Sequence, residues 1–130
     1  MPKFGKTSEA RLSTCDDRLQ QICNAAIKEM DFTVLCGHRT EQAQNEVFDH
    51  GLSRVRWPNS KHNSWPSRAV DLAPYPIDWA DRDRFLKLAD LIIRKSIELK
   101  IEIRWGADWN RNGRTDDERF LDYPHFELAD

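Results

Sequence analysis

The 130-residue chain has no apolar run approaching the ~18 residues that a membrane-crossing helix needs. It has no excess of positive charge either: 20 Lys and Arg face 22 Asp and Glu, which argues against a duplex DNA-binding module with its basic face. The stretch from Met1 to Ser8 carries lysines but no apolar segment after them, so it does not read as a secretory leader. The expectation is a chain made in the cytoplasm and not exported by the usual route. Cysteine is scarce. Cys15, Cys23 and Cys36 are odd in number and form no CxxC pair, which excludes a disulfide framework and leaves them as small packed thiols. Internal repeats, low-complexity tracts and the HExxH motif of helical zinc proteases are all missing. Hydrophobic residues reach 39%, low for a globular protein but too many for a disordered one, and the length fits one domain, residues 1–130.

What is present reads as alternating helices and strands. Thr14 as N-cap and the stripe Leu19, Ile22, Cys23, Ala26 and Ile27 predict a helix over 14–29. Phe32 to Cys36 reads as a strand ended by Gly37, and Thr40 caps a helix running to about His50, stopped by Gly51. Residues 51–67, with two prolines and no periodicity, read as a long loop, and such loops are usually functional. Arg68 to Leu72 predicts a short strand. A long helix follows from about Asp78 to Lys100, with Phe85, Leu88, Ala89, Ile92, Ile93 and Leu99 on one side. Ile101 to Trp105 and His125 to Leu128 alternate as strands. Together these predict an α+β domain, a small antiparallel sheet with helices packed on it. Trp57, Trp65, Trp105 and Trp109 fall in loops or at strand ends, where aromatics often line clefts.

Two of the four histidines stand out. His62 lies in the long loop, in Ser60-Lys61-His62, ahead of Ala69-Val70-Asp71-Leu72. Along that strand Val70 and Leu72 suit the core, which puts Asp71 on the opposite face beside the small Ala69. Pro124 forces Tyr123 out of helical geometry, so Asp122-Tyr123-Pro124-His125-Phe126-Glu127 enters its strand extended, with His125 and Glu127 on one face. Two histidines and a carboxylate are the ligand set of a catalytic zinc site, three protein ligands with an open fourth place. Such a site needs a second carboxylate to take and pass on a proton, and Asp122 is the nearest candidate. The spacing alone is equally open to surface or hydrogen-bonded structural groups.

Ser60-x-His62…Ala69-x-Asp71 followed by Asp122-x-Pro124-His125-Phe126 resembles the VanY-like peptidases, which are zinc D-alanyl-D-alanine carboxypeptidases and the L-alanyl-D-glutamate endopeptidases of bacteriophage endolysins. The likeness is closest to the phage endopeptidases and runs from Phe4-Gly5 through Arg39 to Phe126-Glu127. It implies zinc held by His62, Asp71 and His125, with Asp122 as general acid–base. It also implies that Arg39 meets a substrate carboxylate or helps hold the site, as against an ordinary ion pair at a helix start. Ser60 would lie on the substrate side. The implied substrate is the peptidoglycan stem peptide, with no nucleic acid and no membrane insertion, for a monomer held in the host cytoplasm until the membrane is opened. Two departures stand. Asp71 follows His62 by nine places, two more than the family's common pattern, and Trp65-Pro66-Ser67 replace its glycine segment. Many carboxypeptidase members carry Glu where this chain has Asp122.

Asp108, Asn110 and Asn112 with Gly113, then Asp116, copy the start of an EF-hand calcium loop, and some phage relatives carry a calcium loop here. Arg119 stands where the bidentate Glu belongs, with Glu118 one place early, so calcium competes with a plain solvated turn. Two rival functions stay open. One is a carboxypeptidase that trims terminal D-alanine. The other is a non-catalytic wall-binding module with a structural metal.

Overall fold

The computed structural model describes residues 2–116, 118 and 121–130. Four helices, α1 (Lys6–Leu12), α2 (Asp17–Ala26), α3 (Glu41–Asp49) and α4 (Arg82–Glu98), and one 3-10 turn (Lys61–Asn63) accompany four strands. The strands are β1 (Phe32–Cys36), β2 (Ala69–Pro74), β3 (Ile103–Trp105) and β4 (His125–Leu128). They form one antiparallel sheet in the order β1-β2-β4-β3, so the last strand in the chain is an inner one. The α+β expectation holds. No helix among the described residues is long and apolar enough to cross a membrane.

Alternation along the strands divides the sheet into two faces. Val34, Val70, Leu72, Phe126 and Leu128 join Leu19, Ile22, Leu88 and Ile92 in one buried core, against which α4 and, behind it, α2 are packed. Asp71, His125 and Glu127 occupy the other face. Fully burying a Leu, Ile or Phe side chain contributes about 1.5–3 kcal/mol, so this core accounts for the docking of the long helix.

Several boundaries differ from the sequence reading. Thr14 is not an N-cap. Its hydroxyl donates to the Arg11 carbonyl and accepts from the His38 N–H at 2.9 Å, tying two segments together, while Asp16 caps α2 by accepting from the Arg18 N–H. The first helix, α1, has too short an apolar signal to read, since only Ser8 and Leu12 are buried. The long helix begins at Arg82 under an Asp81 cap, so Trp79 sits in the turn before it, stacked on Phe85. Leu99 is the helix C-cap and is exposed, not part of the core stripe. Thr40 does cap α3, accepting from the Ala43 N–H, and His50 is its C-cap.

Candidate metal centre and active site

His62, Asp71 and His125 are brought to one place. Asp71 and His125 are register partners across β2 and β4, and the 3-10 turn hangs His62 over them. That turn is locally determined. Ser60 accepts from the His62 N–H, and the Ser60 N–H donates to the Asn63 side chain, closing a capping box. His62 Nε2 lies 3.2 Å and His125 Nδ1 3.1 Å from the same oxygen, Oδ1 of Asp71. The rings are 5.1 Å apart.

The other nitrogen of each ring is already committed. His62 Nδ1–H donates to the Gly37 carbonyl at 2.7 Å, and His125 Nε2–H donates to Glu127 at 2.8 Å. Glu127 is itself held by Lys61 and Arg104, each at 3.3 Å. These contacts keep a proton on Nδ1 of His62 and on Nε2 of His125, so the two inward nitrogens meet Asp71 as N–H donors or a cation as lone pairs. Protons alone can fill that space only by making two buried imidazoliums side by side, which repel. One divalent cation satisfies all three groups, so the donor set fits a metal.

With no cation present, the same cluster draws protons instead. Burial pulls the His62 imidazole down, but Asp71 outweighs it and raises the group to about 10. His125 is likewise raised against burial by Asp71 and Glu127. Burial pushes Asp71 up, yet the two histidines hold it well below the carboxylate range. Asp122 goes the other way. Burial raises its carboxyl, and the neighbouring charge of Asp71 adds to the rise. Such a carboxyl is suited to holding and releasing a proton.

These residues line one cleft of about 670 Å³, with Arg39, Ser60, His62, Asp71, Asp122 and His125 on its walls. Arg39 is less free than its sequence position suggests. It donates to Gln44 at 3.0 Å and pairs with Oδ2 of Asp71 at 3.4 Å, opposite the oxygen that meets the histidines. Gly106 backs the site. Its N–H donates to the His125 carbonyl and its carbonyl accepts from the Asp122 N–H, and a Cβ there would come within 2.3 Å of the Asp122 carbonyl oxygen. Only glycine permits that approach.

Most of the chain matches known proteins. Residues 1–129 match the family described as phage L-alanyl-D-glutamate peptidase. The chain belongs to the phage L-alanyl-D-glutamate peptidase family. The L-alanyl-D-glutamate peptidase of Escherichia phage T5 is 37% identical over 122 residues, 89% of this chain and 88% of that protein. The crystal structure of the Serratia marcescens L-Ala D-Glu endopeptidase ChiX superposes with a TM-score of 0.77 at 26% identity, covering 97% of this chain and 89% of that one.

In this chain the longer His62–Asp71 interval is absorbed without loss of convergence. Trp65 is pushed outward, 70% exposed and edge-on to His38, while Ser67 is buried. Ser67 is pinned by backbone bonds, its N–H donating to Thr14 and its carbonyl accepting from Asp16. His38 has Trp65 as its ring neighbour and takes no part in the Asp71 cluster. Of the four loop tryptophans, only Trp109 lines the cleft, 5.5 Å from the His125 ring; Trp105 is buried in the core. Trp79, read from sequence as helical, is the second tryptophan on the cleft wall. Sequence reasoning gave no role to Glu127, although its position two places after His125 was the available signal. It also missed Cys36, whose sulfur lies with the ligand atoms of His62 and Asp71.

Apart from Trp109, the described side-chain bonds of the calcium candidates stay within their own loop. Asp108 accepts from the N–H groups of Asn112 and Gly113, Asn110 accepts from Asn112, and Asn112 accepts from Arg114. Asp116 pairs with Arg114. Asp117 and Arg119, at the far end of the proposed calcium spacing, lie outside the described residues.

Proposed function

We propose that this chain is a single-domain, zinc-dependent peptidase that cuts the L-alanyl-D-glutamate bond of peptidoglycan stem peptides. His62, Asp71 and His125 would hold the metal. The observation that carries this is the pair of histidine nitrogens aimed at one Asp71 oxygen on a cleft wall, with a second carboxylate, Asp122, on the same cleft. Zinc, when bound, acidifies water and polarises a carbonyl. Asp122 accepts a proton as the bond is attacked and returns it to the leaving amine. Glu127, braced by Lys61 and Arg104, keeps the His125 ring oriented and its Nε2 protonated. Mass spectrometry of purified muropeptides with and without chelator tests the reading. Chelator-sensitive products with a new D-glutamyl amino terminus are expected. Release of terminal D-alanine alone would favour the carboxypeptidase alternative, and no cleavage at all a binding module.

The pairing of Arg39 with Asp71 supports a positioning role for this arginine, with Ser60 steadying the turn that carries His62. Substrate carboxylate remains a second partner for Arg39, because it lines the cleft. Arg39→Ala is expected to weaken zinc affinity about 10–100-fold, the usual cost of losing a group that orients a ligand. Competition with a chromogenic chelator measures this, and Arg39→Lys should restore only part, because an ammonium cannot fork between Gln44 and Asp71. Unchanged metal affinity with reduced cleavage of acidic stem peptides would assign the guanidinium to substrate instead.

We also propose that Asp108, Asn110, Asn112 and Asp116 bind calcium. The turns that Asp108, Asn110 and Asn112 form with successive N–H groups curl their oxygens around one loop, and Gly113 takes the positive φ that the sharp bend requires. Without a bidentate Glu in the twelfth place the expected dissociation constant is about 10⁻⁴–10⁻³ M. Calorimetric titration of zinc-loaded protein with calcium, alongside cleavage rates, checks it. Absence of heat and rate change up to millimolar calcium reduces the segment to a polar loop.

A further inference from the structure

We propose, building on the metal site above, that Cys36 gives this centre a second, sulfur-containing seat for a thiophilic divalent cation, shared with the first through His62 and Asp71. Three neighbouring strands contribute one residue each at the same level of the sheet. Cys36 pairs with Asp71 across β1 and β2, and Asp71 pairs with His125 across β2 and β4. Strict alternation would turn Cys36 to the core face with Val34. A register shift between Val34 and Cys36 breaks that alternation, as a bulge does when it re-aims a side chain. The result is that the ligand atoms of Cys36, His62 and Asp71 all lie within 4.8 Å of one another.

A tetrahedral zinc ion with bonds of about 2.0–2.3 Å spaces its ligand atoms about 3–4 Å apart, so small side-chain rotations close this set on an ion. The sulfur is also oriented. Arg39 reaches it at 3.7 Å, and the thiol faces the Gly37 carbonyl at 3.5 Å. That carbonyl is the one that fixes the His62 ring, so the sulfur and the imidazole are referenced to the same backbone atom. On binding, the thiol gives its proton to solvent and a sulfur lone pair forms the bond to the metal, with no change of oxidation state. Because the two seats share His62 and Asp71, one ion at a time occupies the centre. The all-nitrogen-and-oxygen seat uses His125, and the sulfur seat uses Cys36. Thiolate ligation selects soft cations, so cadmium is drawn to the Cys36 side, and cobalt, borderline like zinc, accepts a thiolate ligand there.

Cobalt(II) is the direct probe, since it reports its own binding through visible d–d bands and reports sulfur through a separate near-ultraviolet thiolate-to-cobalt charge-transfer band. The cobalt-loaded full chain is expected to show both. Cys36→Ser should keep the visible bands, lose the charge-transfer band and bind cadmium about tenfold or more weakly. His125→Ala should retain the charge-transfer band, because the sulfur seat does not need that ring. Visible bands without charge transfer in the unaltered chain overturn the proposal whatever the variants do. So does a charge-transfer band that survives Cys36→Ser, or one that disappears in His125→Ala while cobalt stays bound. Failure of the unaltered chain to take up cobalt or zinc at all would instead overturn the metal reading on which the second seat depends.

Discussion

His125→Ala is expected to lose peptidoglycan cleavage down to the level of chelator-treated protein and to hold zinc more weakly than the unaltered chain. His125 supplies one of three donors around a single Asp71 oxygen, and its own orientation is fixed from behind by Glu127. Removing the ring leaves His62 and Asp71, with Cys36 as the further donor beside them, and so breaks the two-histidine, one-carboxylate set of a catalytic zinc site. The fold should survive. Glu127 keeps Lys61 and Arg104 as partners, and Phe126 and Leu128 continue to anchor β4 in the core. Metal analysis of the purified variant, read beside its circular dichroism, separates loss of metal from loss of structure. His62→Ala and Asp71→Ala should behave alike. Full zinc occupancy and activity in His125→Ala would remove this residue from the metal site.

Asp122→Ala should do the opposite with the metal and nearly the same to the rate. Zinc content and melting temperature stay close to those of the unaltered chain, while turnover falls about 10²–10⁴-fold, the usual contribution of a general acid–base. The grounds are positional. The described bonds of Asp122 to the sheet run through its backbone, to Gly106 and His125, and these survive truncation of the side chain. Its carboxyl is raised by burial and by Asp71, so alanine also removes a group that is costly to ionise. Asp122→Asn, which keeps size but can neither accept nor return a proton, should be equally slow. If Asp122→Ala lost zinc while Asp71→Ala kept it, the two carboxylates would exchange roles.

The parts of this centre that could be read in the sequence are those set by strand alternation. Asp71 opposite Val70 and Leu72, and His125 with Glu127 opposite Phe126, follow from a period of two and from Pro124, and the structure has them on those faces. What the sequence hid depends on neighbours far along the chain. The hold of Arg39 on Asp71 and of Lys61 on Glu127 are pairings between separate elements, and no local pattern encodes them. Cys36 was invisible for a different reason: a bulge breaks the very alternation by which faces are assigned. The capping of α2 was misplaced by two residues because Thr14, Asp16 and Asp17 can all cap, and only the His38 N–H arriving at Thr14 decides between them.

The position of β4 in the sheet bears on how this molecule comes into being. The strand is the last element of the chain, yet it lies between β2 and β3 and pairs with both. During synthesis β2 and β3 therefore emerge with no partner along the edges they will share with β4, and exposed strand edges invite pairing with other chains. The residue that closes the sheet, His125, is also the one that completes the donor set. Assembly of the sheet and acquisition of a competent centre are thus a single event that waits for β4. A nascent or clipped chain lacking its last strand is expected to be inert and prone to associate, not partly active.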